Sequence, residues 1–60
     1  MYYYCLCPTE DLQKVKEWFL TKKIYHEVSY YNGKLVHIAY KTAKSIRDEF
    51  EDWTDKNLGW

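Results

Sequence analysis

The sequence predicts an α+β fold whose elements follow the order strand, helix, strand, strand, helix. Two stretches with a period of two flank Asn32–Gly33, a dipeptide typical of hairpin turns. Two further stretches, one on each side of this hairpin, repeat apolar residues at helical spacing. The chain of 60 residues is long enough for one domain only, so 1–60 is predicted to fold as a single domain.

The first predicted elements are a strand over 2–7 and a helix over 9–23. The strand is a run of β-favouring residues, and Pro8 ends it because proline has no N–H for the ladder. Thr9 is the expected N-cap of the helix. The apolar residues that follow at helical spacing are Leu12, Val15 and Phe19.

The hairpin is predicted to join strands over 24–31 and 34–41. A two-residue loop would place the apolar residues of these strands on opposite faces. A three-residue loop with Gly33 in the left-handed conformation instead pairs Val28 with Val36 and brings the apolar faces together. We therefore expect the three-residue loop.

The expected register also places Glu27 opposite His37 on the other face of the sheet. Such a pair resembles an acid–base arrangement, but it is more often a weak, exposed cross-strand contact. The sequence contains no catalytic or cofactor motif. It therefore predicts a protein that is not an enzyme and needs no cofactor.

The last predicted helix covers 43–57, with Thr42 as its N-cap. Its apolar residues form one stripe, made of Ala43, Ile46, Phe50 and Trp53. Gly59 is typical of a helix end. The aromatic tail that follows can fold back on the domain or stay free.

A right-handed crossover predicts parallel first and second strands with the third strand between them, so the sheet order is 2-3-1 and both helices cover one face. This element order resembles a ferredoxin-like fold without its last strand. The resemblance extends over the whole chain and rests on no sequence motif. It implies an exposed edge at 2–7, where Tyr2, Tyr3 and Tyr4 would contact a partner strand or form a homodimer with a second copy.

Composition limits the functions that the chain can have. Nine basic and nine acidic residues give a net charge of zero, which removes any bulk attraction to nucleic acid or anionic lipid. No apolar run approaches the ~20 residues that span a bilayer, and the N-terminal stretch MYYYCLCP lacks the basic segment and cleavage site typical of a signal peptide. We expect a cytoplasmic protein without membrane contact, in the host cytoplasm if it is phage-encoded.

Two cysteines, Cys5 and Cys7, lie on the same face of the first predicted strand. We expect reduced, structural thiols, because this spacing is unsuitable for a mutual disulfide. With His26 and His37 they supply ligand types that zinc prefers, but the C-x-C spacing is unusual for zinc sites. No metal is predicted, and zinc remains an alternative.

Five carboxylates crowd into the last helix, after a group of cations. The carboxylates are Asp48, Glu49, Glu51, Asp52 and Asp55, and the cations are Lys41, Lys44 and Arg47. This polarity opposes the helix dipole and costs about a few tenths of a kcal/mol per charge. A solvated helix face is the simple interpretation. The functional interpretation is a patch that competes with nucleic acid for a basic groove on another protein.

Seven tyrosines in so small a chain indicate aromatic surface left over for a partner. We expect an inhibitor or adaptor whose acidic helix, strand edge and surface residues Tyr25 and Tyr31 occupy a basic nucleic-acid-binding protein. Very short, charge-polarised domains of this kind resemble the accessory proteins that phages use against host defence, including anti-CRISPR and anti-restriction inhibitors. The alternative is a single-stranded RNA or DNA binder that stacks bases on Tyr3, Tyr25 and Tyr31, with Lys34 and Lys41 at phosphates.

Overall fold

A three-stranded sheet forms the centre of the computed structural model, which describes all 60 residues. The strands are β1 (Tyr2–Pro8), β2 (Tyr25–Tyr30) and β3 (Leu35–Lys41). The helices are α1 (Leu12–Thr21), which follows a 3-10 turn at Thr9–Asp11, and α2 (Lys44–Leu58). The order is β1-β3-β2, and both outer strands run antiparallel to β3. The predicted α+β class and strand order are confirmed.

Both helices cover one side of the sheet, which we call the helix side. The rings of Phe19 on α1 and Phe50 on α2 both contact Tyr40 of β3, with centroids 4.9 Å and 5.4 Å away. Phe19 also lies 5.0 Å from the ring of His26 on β2. The guanidinium carbon of Arg47 lies 5.1 Å from the ring centre of Tyr3 on β1. Helix α1 therefore lies toward β2, and α2 lies toward β1.

The core is a small, largely aromatic cluster between the helices and the sheet. Its buried apolar residues are Cys7, Val15, Phe19, Val36, Ile38, Tyr40 and Phe50. Trp18 closes the seam between the helices, with ring centroids 5.2 Å from Phe50 and 5.8 Å from Trp53. Aromatic side chains bury on the order of 150 to 250 Å² each, which gives this short chain a dense core.

Alternation along β1 separates its side chains between the two sides of the sheet. The odd-numbered residues Tyr3, Cys5 and Cys7 pair with Tyr40, Ile38 and Val36 on the helix side. The even-numbered residues Tyr2, Tyr4 and Leu6 point to the uncovered side, and all three are exposed. Pro8, expected to lie outside the strand, is its last residue and pairs with Leu35.

The predicted hairpin register is wrong by two residues. Val28 pairs with Ile38 and Tyr30 with Val36, instead of Val28 with Val36. The backbone N–H groups of Lys34 and Leu35 donate to the Asn32 side chain, over 2.8 Å and 2.9 Å. This Asx turn widens the loop, and Gly33 does not take the expected positive φ.

A shift of two residues keeps every side chain on its expected side of the sheet. It changes the cross-strand partners, because Glu27 now pairs with Ala39 and His37 with Ser29. The expected Glu27–His37 pair therefore does not form.

Neither threonine caps a helix as expected. The N–H and the hydroxyl of Thr9 both donate to the carbonyl of Lys34, over 2.9 Å and 3.4 Å. Thr9 thus ties the end of β1 to the hairpin loop and starts the 3-10 turn. The N-cap of α2 is Ala43, one residue after Thr42, and it makes no side-chain capping bond.

Helix α1 ends in a Schellman motif, two residues before the predicted end at Lys23. The N–H of Lys23 donates to the carbonyl of Leu20 over 3.1 Å, and that of Ile24 donates to Phe19 over 2.9 Å. The residue that turns left-handed in this motif is Lys23, with a φ of 58°. Helix α2 ends at Gly59, whose φ is 72°, as its sequence predicts.

The aromatic tail folds back onto the domain. The indole N–H of Trp60 donates to Asp11 over 3.2 Å. Its ring meets Phe50 edge-on, with centroids 6.1 Å apart. The last residue is thereby tied to the first helical turn.

Candidate binding surface

The side of the sheet opposite the helices has no covering element, and we call it the open sheet face. Tyr2, Tyr4 and Leu6 of β1 form its first row. The other side chains on this face are Leu35, His37, Ala39 and Lys41 of β3 and Tyr25, Glu27 and Ser29 of β2. Antiparallel pairing places Tyr2, Lys41 and Tyr25 side by side across one end of it.

Four large side chains on this face remain substantially exposed. The exposed fractions are 65% for Tyr4, 57% for Tyr25, 53% for Tyr2 and 45% for Leu6. Large contiguous patches of exposed apolar surface are uncommon on soluble monomers and usually mark a contact site.

Local contacts hold the exposed rings in place. The ring of Tyr4 stacks on His37, with centroids 5.5 Å apart, and the ammonium of Lys41 lies 5.7 Å from the ring centre of Tyr2. The Tyr25 hydroxyl donates a hydrogen bond to the Glu27 carboxylate. That bond raises the pKa of Tyr25, because the carboxylate stabilises the protonated phenol.

Three of the five predicted acidic contact residues already have cationic partners within the chain. Asp48 pairs with Lys44 over 3.3 Å and with Arg47 over 3.1 Å. Glu51 pairs with Arg47 over 2.8 Å, and Glu49 pairs with Lys22 of α1 over 2.6 Å. Asp52 and Asp55 form no ion pair, so the unpaired negative charge on α2 is smaller than the sequence suggests.

The structure separates the predicted contact residues into different surfaces. The acidic helix lies on the helix side, whereas Tyr25 lies on the open sheet face. One flat partner therefore cannot meet both. Tyr31 is 58% exposed in the hairpin loop, and Tyr3 is half-buried on the helix side beneath Arg47.

Tyr3 therefore cannot stack bases on the open sheet face, because β1 alternation turns it toward α2. Tyr4, which was expected only as an edge contact, is the central aromatic residue of that face. Leu6 and His37 were not predicted as contacts. The alternation of β1 identifies Tyr2, Tyr4 and Leu6 once Cys7 is assigned to the core.

The residues considered for zinc do not converge. Cys5, Cys7 and His26 lie on the helix side and His37 lies on the open sheet face. Strand β3 also separates both cysteines from His26. Burial raises the pKa of Cys5 to about 12 and that of Cys7 to about 11, so both are protonated thiols at neutral pH.

Two shallow depressions interrupt the surface. The first lies beside the hairpin loop and is lined by Pro8, Thr9, Glu10, Gly33, Lys34 and Leu35. The second lies beside the C-terminal half of α2 and is lined by Glu51, Asp52, Thr54, Asp55 and Trp60. Both are wide open to solvent, and neither encloses a set of groups arranged for catalysis.

Neither helix is long and apolar enough to span a bilayer. No family model, no curated protein and no solved structure matches this chain. A functional assignment therefore depends on the chain's own surfaces.

Proposed function

We propose that this chain is a small, non-enzymatic protein-binding module that contacts its target with the open sheet face. The observation that carries this proposal is the set of four large side chains, 45% to 65% exposed, on one uncovered side of the sheet. Tyrosine is enriched at protein interfaces because it combines a large apolar ring with a polar end.

The arrangement of the rings favours a flat partner. Tyr4 is held by His37, Tyr2 by Lys41 and Tyr25 by Glu27. Rings that are already held in place lose little conformational entropy when a partner covers them. Because the open sheet face has no deep pocket, we infer that its partner is another protein and not a small molecule.

The proposed mode of action is that of an inhibitor or adaptor, which acts by covering part of its target. The target class remains the one expected from the sequence, a nucleic-acid-handling protein of the kind that phage accessory proteins block. Asp52 and Asp55 supply unpaired negative charge on α2. Exposed charges of this kind mainly accelerate association with a basic partner.

Single-stranded nucleic acid is the second candidate, since the open sheet face combines aromatic rings with Lys41. We favour a protein because Lys41 is the only cation among the side chains of this face and Glu27 lies beside Tyr25. Binding to a nucleic acid backbone usually needs several cations along the groove.

Capture from a lysate, with and without nuclease, tests the proposal through matched variants. We expect the unsubstituted chain to capture a protein from nuclease-treated lysate. The double substitution Tyr4→Ala and Tyr25→Ala should abolish this capture. Tyr30→Ala is the control, because Tyr30 is 79% exposed but lies on the helix side. Asp52→Asn with Asp55→Asn should leave most of the captured protein bound.

Two outcomes contradict the proposal. If nuclease removes the material that the unsubstituted chain captures, the result would indicate binding to single-stranded nucleic acid instead. Capture that survives the double tyrosine change but fails after the aspartate changes would move the contact to α2. Circular dichroism of each variant separates loss of binding from loss of folding.

A further inference from the structure

Strand β1 presents unpaired backbone groups at the free edge of the sheet. The carbonyl of Met1 accepts from Thr42, and the N–H of Thr9 donates to Lys34. In an antiparallel ladder, the backbone N–H and C=O groups of every second residue point to the same neighbouring strand. The backbone groups of the odd-numbered residues of β1 therefore point to β3. The N–H and C=O groups of Tyr2, Tyr4 and Leu6 therefore point outward.

Between Tyr2 and Cys7, this edge lacks the features that usually prevent strand pairing. Natural edges are commonly protected by charged side chains, bulges or a covering element. The seven residues Tyr2–Pro8 carry no charged side chain, and each pairs with β3 in uninterrupted register. Only Pro8 lacks an outward N–H, and it marks the end of the pairing edge.

We propose that a second copy of this chain pairs with β1 in antiparallel orientation, around a two-fold axis beside Tyr4. The outward groups belong to Tyr2, Tyr4 and Leu6, so they are centred on Tyr4. Pairing Tyr4 with its own copy, and Tyr2 with Leu6 of the second copy, satisfies all of them through roughly six hydrogen bonds.

The charge pattern of α2 independently fits the same two-fold axis. Glu49 and Trp53 face α1, through Lys22 and Trp18. The opposite side of α2, next to β1, carries four charged residues at helical spacing. They are Lys44, Arg47, Glu51 and Asp55, with the cations in the N-terminal half and the acids in the C-terminal half. Asp48 lies beside the two cations and pairs with both within the chain, and Arg47 also pairs with Glu51, so a second copy would share these cations with the internal ion pairs.

A two-fold axis through the β1 edge brings the two α2 helices side by side in antiparallel orientation. Lys44 of each copy then faces Asp55 of the other, and Arg47 faces the other copy's Glu51. The charge polarity that opposes the helix dipole is therefore self-complementary across the axis. Attraction between copies offsets the cost within each helix.

The two centres of symmetry coincide along the strand. Arg47 lies over Tyr3, and Tyr4 is about 3.3 Å further along β1. Since α2 and β1 both run opposite to β3, that step covers about two residues of helix at ~1.5 Å per residue. The ring of Phe50 also packs on Tyr40, the strand partner of Tyr3. The axis therefore crosses the middle of α2, between Lys44 and Asp55.

This dimer goes beyond the proposed function, because it uses the backbone groups of Tyr2, Tyr4 and Leu6 and the charges of α2, whereas the target contact uses the side chains of the open sheet face. The open sheet faces of both copies would join into one continuous surface on the same side. A target with two equivalent sites would then bind with a gain from multivalency.

Sedimentation equilibrium of the full chain over a range of concentration and salt tests the dimer. We expect a monomer–dimer equilibrium that Tyr4→Pro abolishes, because proline removes an outward N–H. Val28→Pro is the matched control, because its N–H faces outward at the free edge of β2, and it should still dimerise. A chain that stays monomeric at millimolar concentration overturns the proposal.

Charge-reversal substitutions on α2 test the helix contact without introducing proline into a strand. Lys44→Glu alone and Asp55→Lys alone should each weaken the dimer by about tenfold, because each brings like charges together. The two changes combined should restore the original dissociation constant. A double variant as weak as either single variant would overturn the antiparallel α2 contact, and a dimer that survives Tyr4→Pro would exclude the β1 edge.

Discussion

At the scale of single residues, the core and its border contain three groups whose ionisation is suppressed by burial, Cys5, Cys7 and Tyr40. Burial raises the pKa of Tyr40 and that of Cys5 to about 12, and it raises the pKa of Cys7 to about 11. The ordinary values of these groups are 9.0 for the thiols and 10.0 for the phenol. The folded chain therefore holds these protons more tightly than the unfolded chain does.

Alkaline pH should consequently destabilise the fold. From about pH 8, the unfolded chain begins to lose thiol protons that the folded chain retains, so the free energy of unfolding falls as the pH rises toward 11. Below about pH 8 these three groups contribute almost no pH dependence. Urea denaturation at pH 7.5, 9 and 10.5 measures the effect, and Cys5→Ala should reduce the slope.

Phe50 makes more aromatic contacts than any other residue of the chain. Its ring meets Trp18, Phe19, Tyr40, Trp53 and Trp60. Phe50→Ala should cost about 3 to 5 kcal/mol, which leaves so small a domain mostly unfolded. Tyr30→Ala, at an exposed position, should change the thermal midpoint little, and an equal loss in both variants would contradict this account of the core.

At the scale of elements, the two helix ends use the same backbone conformation with different residues. Lys23 at the end of α1 and Gly59 at the end of α2 both have positive φ, of 58° and 72°. A side chain in this conformation costs roughly 1 to 2 kcal/mol relative to the right-handed one. Only the second end uses the residue for which the conformation is easy.

Exchanging the residue types should therefore have opposite effects at the two ends. Lys23→Gly should stabilise the fold by about 0.5 to 1 kcal/mol after the entropic cost of glycine. Gly59→Ala should destabilise it by about 1 kcal/mol through the backbone alone, because nothing lies within 4 Å of the added Cβ. Urea denaturation of both variants measures the difference, and a destabilising Lys23→Gly would contradict this interpretation.

The sequence predicts elements better than the contacts between them. The β-favouring run before Pro8, the periodicity of the later segments and Asn32–Gly33 indicate the helices and strands, because local patterns determine these choices. The hairpin register escaped prediction because it depends on hydrogen bonds from Lys34 and Leu35 to the Asn32 side chain. The N-cap at Thr9 failed for a similar reason, since its hydroxyl bonds to Lys34 instead.

At the scale of the whole molecule, the sheet separates two surfaces that the sequence could not tell apart. Predicting which acids stay unpaired on α2 requires the packing of α1 beside it, since Lys22 neutralises Glu49. Predicting that Tyr4 and not Tyr3 faces outward requires only strand alternation and a buried Cys7. The sequence is therefore sufficient to predict the tyrosines of the open sheet face, but not the ion pairs of α2.

Amide hydrogen exchange should follow the strand order β1-β3-β2. Both edges of β3 are paired, so its amides should exchange only on global unfolding. The outward amides of His26, Val28 and Tyr30 on β2 should exchange fastest among strand residues. Those of Tyr2, Tyr4 and Leu6 should become protected as the protein concentration rises, whereas protection of β2 alone would contradict the β1 dimer.

The three tryptophans of the chain all surround Phe50, at centroid distances of 5.2 Å, 6.3 Å and 6.1 Å for Trp18, Trp53 and Trp60. Ultraviolet emission from this protein is thus a signal of the seam between the helices. It should change strongly on unfolding and hardly at all when a target covers the tyrosines on the opposite side. An optical titration of binding therefore needs a fluorophore placed on the sheet, and Tyr4→Trp would supply one.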